Sequence, residues 1–171
     1  MISQSKKKMI TYLLSGGLSL AAAVSGALLV APSEGYHSSV YLDPVGIATS
    51  CFGHTDPDLE LGQKFTYSEC LDQFAEDLAE ADQSVTKVIK VPLNTWQRAA
   101  LISFTYNVGE GNLRTSTLAK EFNQGEYDAG CDQLLSWVYA HKKKLKGLET
   151  RRELERSMCL NQMEIPDVSS N

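Results

Sequence analysis

Glu34-Gly35-Tyr36-His37-Ser38-Ser39-Val40-Tyr41-Leu42-Asp43-Pro44-Val45-Gly46-Ile47-Ala48-Thr49 is the stretch on which the reading of this chain turns. From Tyr36 to His54 the sequence mixes β-forming residues with turn residues, and Pro44 and Gly46 interrupt it, which predicts a small hairpin or sheet. Glu34 stands ahead of the sheet, Asp43 follows nine residues later, and the Thr49 hydroxyl comes six after that. By spacing alone, Glu34 could start a helix surface and Asp43 could make the turn with Pro44, the commoner fate of Asp-Pro. A carboxyl pair is nonetheless what glycosidic bond cleavage needs. One acid stays protonated to give its proton to the leaving oxygen, while the other stays ionised to activate water or stabilise positive charge at the sugar. A hydroxyl beside the second carboxylate helps to hold that water.

Upstream lies an uncharged run from Met9 to Ser33, preceded by Lys6, Lys7 and Lys8. As a helix, Met9 to Ala31 would span roughly 35 Å, enough for a hydrocarbon core of ~30 Å. The lysines predict a cytoplasmic N-terminus with the rest of the chain exported. Yet 12 of these 23 residues are Gly, Ser, Thr or Ala, which gain little from lipid. Three readings stay open: an ordinary anchor, a cleaved signal peptide with Ser25-Gly26-Ala27 as its small-x-small site, and a signal anchor that later leaves the bilayer. The run is about twice the usual signal-peptide core, which disfavours cleavage.

Downstream, Thr66-x-x-Glu69 forms a capping box, and Leu71, Phe74, Ala75, Leu78, Ala81, Val85 and Val88 follow at helical spacing. A second helix is expected from Thr95 to Val108, with Gly109 as its stop. Shorter helices are expected over 116–123, 127–140 and 148–160, and a polar, disordered tail from Gln162.

The chain has 171 residues and a net charge of −5, the size of one domain and the wrong sign for a dedicated nucleic-acid binder. No C-x-x-C or H-x3–5-H pair suggests zinc. Charge is segregated: residues 9–140 carry 16 acidic and 6 basic groups, whereas residues 141–156 carry seven Lys or Arg against three Glu. Lys142-Lys143-Lys144 reads first as a solvated loop, and alternatively as a basic rim for a polyanion or membrane surface.

Ser33-Glu34-Gly35, Tyr41-Leu42-Asp43, Gly46-Ile47-Ala48-Thr49 and Gly53-His54-Thr55 together resemble the phage-type lysozymes of glycoside hydrolase family 24. Leu101 to Gly109 looks like that family's central buried helix. Ser116-Thr117-Leu118, Asp132 to Trp137 and Gly147 to Glu153 resemble its C-terminal lobe. The resemblance covers roughly Ser33 to Leu160. It implies an α+β, lysozyme-like fold with a mostly helical C-terminal lobe and a small β-sheet lobe, following an N-terminal transmembrane, releasable anchor helix. It also implies cleavage of the β-1,4 bond between N-acetylmuramic acid and N-acetylglucosamine in peptidoglycan. Carried over by position, Glu34 is the general acid, Asp43 the base or charge stabiliser and Thr49 the water-positioning hydroxyl. Arg151 or Arg152 would lie against Glu34 and tune it, while His54 would brace the sheet.

The lysine-flanked run resembles the signal-anchor-release segment of phage endolysins. The chain is therefore divided into an anchor over 1–33, a lysozyme domain over 34–160 and a tail over 161–171. The expected course is insertion in the host inner membrane through residues 9–31, inactive while anchored, then release to the periplasm and host cell lysis. Of the four cysteines, none lies in the anchor or in place of Asp43, which argues against activation by thiol exchange. Proximity along the chain and helix pairing favour Cys51–Cys70 and Cys131–Cys159, each bond contributing ~2–4 kcal/mol. No metal, organic cofactor or nucleic acid is implied, and the chain is expected to be a monomer. Two rivals are a lytic transglycosylase, disfavoured by the presence of both Asp43 and Thr49, and a non-catalytic anchored wall-binding module.

Overall fold

The structure, a computed structural model, describes residues 3–43, 45–140 and 142–163. Two long helices form its centre. Helix α4 (Tyr67–Val88) starts where the capping box predicts: the Thr66 hydroxyl accepts the Glu69 N–H at 3.2 Å, and the Glu69 carboxylate accepts the Thr66 N–H at 2.7 Å. Its stripe from Leu71 to Val88 is buried apart from Ala75, which is half-buried. Helix α5 (Thr95–Thr115) is capped by Asn94 and buries every residue from Ala99 to Thr105. Gly109, at φ 82 and ψ 161, breaks it, and a short helical stretch resumes beyond.

The apolar run forms several short helical pieces in this structure. α1 (Gln4–Ser15) ends at Gly16, Gly17 turns at φ 89, and Ser19 caps α2 (Leu20–Ser25). A π-helical turn (Gly26–Val30) and α3 (Ala31–Glu34) continue directly from it. Among the described residues no helix is long and apolar enough to cross a membrane. Ile10, Leu13 and the whole stretch Ala21–Val30 are instead buried, in one core with Phe74, Leu78 and the apolar residues of α5. A Cβ placed on Gly26 would stand 2.6 Å from Leu78 Cδ1, so the glycine lets the π turn approach α4 without displacing that side chain. Polar contacts fasten the outer side. The Tyr12 hydroxyl donates to Asp72 at 2.7 Å and the Ser19 hydroxyl to Asp82 at 3.0 Å.

The predicted hairpin is an antiparallel sheet in the order β1 (His37–Leu42), β2 (Ala48–Cys51), β3 (His54–Thr55), with Tyr41 opposite Thr49. The second half holds α6 (Thr117–Asn123), α7 (Tyr127–Asp132) and α8 (Lys146–Cys159). The helix expected over 127–140 ends early. After Asp132 the chain tightens into a 3-10 turn (Gln133–Ser136), and β4 (Tyr139–Ala140) then pairs with β5 (Lys143–Lys144). Beyond that turn the Trp137 backbone is no longer helical, and its carbonyl accepts a hydrogen bond from Arg152 Nε at 3.1 Å, which ties this stretch to α8. Disulfides join Cys51 to Cys70, linking β2 to the first turn of α4, and Cys131 to Cys159, linking α7 to the end of α8. The tail expected from Gln162 lies outside the described residues from position 164 onward.

Candidate active site

Glu34 is the last residue of α3, so the buried helical segment before it sets where its carboxyl stands. Arg151 Nη1 donates to Glu34 Oε1 at 2.6 Å, with the carboxyl side chain 24% exposed and the arginine 6%. Arg151 is itself held from behind. Its Nε donates to Glu155 Oε1 at 3.1 Å and its Nη2 to the Ser103 carbonyl at 3.1 Å, while the Ser103 hydroxyl donates to the same Glu155 oxygen at 2.7 Å. Glu155 is fully buried and also pairs with Arg152. Of the two arginines named from sequence, only Arg151 contacts Glu34. Arg152 is turned to Glu155, Asn107 and the Trp137 carbonyl, with its guanidinium 5.0 Å from the centre of the Phe104 ring. Burial lowers its ionisation somewhat below the usual arginine range, against the pull of Glu155.

Asp43 forms the β1–β2 turn that its sequence context allows: Oδ1 accepts from the Val45 N–H at 2.9 Å and the Ile47 N–H at 2.8 Å. Thr49 is buried on β2 and its hydroxyl donates to the Ile47 carbonyl at 3.0 Å, which leaves the oxygen's lone pairs as acceptors. Tyr41 connects these groups. It faces Thr49 across the strand pair, and its phenol is pushed above the ordinary tyrosine value by burial and then by the negative charges of Glu34 and Asp43. Both carboxylates therefore act on one side chain that is paired with the threonine.

Two hollows open in this part of the fold, and Glu34 lines the second of them. One, about 290 Å³, is lined by Gly53, Thr55, Asp77, Thr105, Tyr106 and Glu110; the other, about 610 Å³, by Pro32, Glu34, Asn107, Leu148, Arg151 and Leu154. Gly53 and Glu34 touch, since a Cβ on Gly53 would stand 3.0 Å from Glu34 Oε2. His54 Nδ1 lies 3.0 Å from both Asp77 oxygens, fastening β3 to α4. Sequence reading missed Tyr41, Glu155 and Tyr106. Tyr41 carries no signal beyond its place beside Leu42-Asp43, and an aromatic within the apolar pattern of α5 reads simply as core.

The family model for phage lysozyme matches residues 31–155, and the chain belongs to that family. It is 43% identical over 161 residues to the SAR-endolysin of Enterobacteria phage PA-2, an alignment covering 91% of this chain and 96% of that protein. The active form of P1 phage endolysin Lyz superimposes with a TM-score of 0.83 at 24% identity, covering 91% of this chain and 93% of that one. The secreted inactive form of the same endolysin gives 0.55 at 20% identity, over 94% and 96% of the two chains. The fold is thus lysozyme-like and α+β. The protein is a lysozyme of the SAR-endolysin type, a peptidoglycan-directed hydrolase.

Proposed function

We propose that this endolysin hydrolyses the β-1,4 bond between N-acetylmuramic acid and N-acetylglucosamine, with Glu34 as general acid. The observation that supports the reading is the Glu34 carboxyl at the end of α3, held by Arg151 Nη1 at 2.6 Å. Arg151 engages Glu34 Oε1, so Oε2 carries the proton delivered to the leaving oxygen. The turn engages Asp43 Oδ1, so Oδ2 takes the proton of the attacking water or faces the developing positive charge. The Thr49 oxygen, its own proton given to Ile47, accepts a hydrogen bond from that water.

The same reading includes control by location. Residues 9–31 first insert in the host inner membrane, leaving the domain from residue 34 onward inactive on the periplasmic side. Release lets the run refold into the body and carries Glu34 to Arg151, and the monomer then lyses the wall from the periplasm. Two facts support this. Glu34 lies three residues beyond the end of the run, and the run's apolar residues fill the core here. A tether that displaces a catalytic carboxyl by an ångström or two is a sufficient switch.

Glu34→Gln tests the chemistry: turnover of purified peptidoglycan is expected to fall about 10³-fold while the protein folds normally. Products ending in a reducing sugar support hydrolysis, and an anhydro ring would make the protein a transglycosylase. Intact mass in soluble periplasmic and membrane fractions tests the control. Full-length chain in both supports release, whereas a soluble form beginning at Leu28 would overturn it.

A further inference from the structure

The side of Glu34 away from Arg151 is formed by bare backbone at Gly53, in the short turn that joins β2 to β3. That turn is tied down more heavily than a surface turn of three residues requires. Cys51 is bonded to Cys70 at the start of α4. The Phe52 carbonyl accepts the Tyr106 hydroxyl of α5 at 2.8 Å, and the next residue but one, His54, is paired with Asp77 of α4. The Phe52 ring also packs on Phe74, with centroids 4.8 Å apart.

These ties hold an unfavourable backbone. Cys51 has φ 56 and Gly53 φ 85, two left-handed residues within three, a conformation that a non-glycine residue adopts only at a cost. Strain of this kind persists where the surroundings over-determine the conformation. A shift of the turn by an ångström would open the space beside Glu34 Oε2 or press into it. Tyr106 is a lasting donor: burial, then the charges of Asp77 and Glu34, push its phenol far above the ordinary range.

We infer that the Cys51–Gly53 turn is the positioning wall of the Glu34 carboxyl, and that Tyr106 and the Cys51–Cys70 disulfide are positioning residues for the hydrolysis. This rests on Glu34 being the general acid. The molecule carries its own control, because the Cys131–Cys159 disulfide joins α7 to α8 and has no part in the Cys51–Gly53 turn.

The test measures kcat and KM on soluble peptidoglycan oligomers with the full-length protein, below the unfolding temperature of each variant. Cys51→Ala/Cys70→Ala and Tyr106→Phe are expected to lower kcat about 10- to 100-fold with KM within about twofold. Cys131→Ala/Cys159→Ala is expected to lower the melting temperature and leave kcat unchanged. Equal loss of kcat from both disulfide variants, or unchanged kcat in Tyr106→Phe, would overturn the inference. Tyr106→Phe removes one oxygen and decides the matter if the Cys51/Cys70 variant does not fold. Glu34→Gln is assayed alongside. If it is inert while the wall variants are fully active, only the wall fails; if it turns over normally, the assignment of the acid fails first.

Discussion

Glu34 is held from two sides by segments of opposite character. The N-terminal segment that ends in it is uncharged from Met9 to Ser33, built from nine Ile, Leu or Val residues interspersed with alanine, glycine and serine, and enters the core by close approach. α8, which supplies Arg151, buries two arginines and a glutamate, and its charges are satisfied by Ser103, Asn107 and the Trp137 carbonyl. The difference lies in how many environments each segment tolerates. Small apolar side chains lose little on moving between lipid and a protein core, whereas a buried Arg–Glu–Arg cluster is stable only where every partner is present. In the proposed cycle of insertion and release, the apolar half of the site is the portable one and the charged half is fixed.

Three substitutions press on that contrast. Glu155→Leu should have the largest effect, since it strands Arg151 and Arg152 in a buried site; a loss of about 3–5 kcal/mol in urea unfolding is expected. A near-neutral result would show that the charged half is not fixed by its partners. Gly26→Leu should cost about 1–3 kcal/mol through the collision with Leu78 and also raise the membrane-bound fraction of expressing cells. Lost stability without any move toward the membrane would break the link between the two environments. The smallest effect concerns Lys144, fully exposed, whose ionisation is raised by its hydrogen bond and charge pairing with Glu149. A raised lysine contributes stability that is fully present below the unfolded value of 10.5 and is lost as pH rises through the higher folded value. The stability gap between wild type and Lys144→Met should therefore be small at neutral pH and close above 10.5. A gap that persists there would mean the charge pair is not its source.

Local signals were read correctly where they act locally. The Thr66–Glu69 box starts α4, the apolar spacing to Val88 marks its buried stripe, and Gly109 interrupts α5 where its missing side chain permits φ 82. One reading, the helix over 127–140, failed where a distant part of the chain overrode local pattern. The spacing after Tyr127 is helical, but the Trp137 carbonyl is claimed by an arginine fifteen residues on, and the chain turns into a hairpin instead. Met9–Ala31 reads as one long helix because no residue in it is charged; Gly16, Gly17 and Ser19 divide it once a core is available on one side. At the site, Glu34, Asp43 and Thr49 were picked out by the resemblance to phage-type lysozymes, since by spacing alone the two carboxylates fit a helix surface and a turn equally well. Gly53 and Tyr106 did not, since bare backbone and a half-buried aromatic carry no mark of what they touch.

The glycine contact between the π turn and α4 has a consequence for anyone shortening this chain. Ile10, Leu13 and the stretch Ala21–Ala27 do not wrap around a finished enzyme but form one of its walls: Leu13, Gly26 and their neighbours cover Phe74 and Leu78. A fragment trimmed at a leader-like boundary would begin life with that wall missing and an oily face turned to water. Expression of the catalytic part alone is therefore expected to leave Phe74 and Leu78 uncovered.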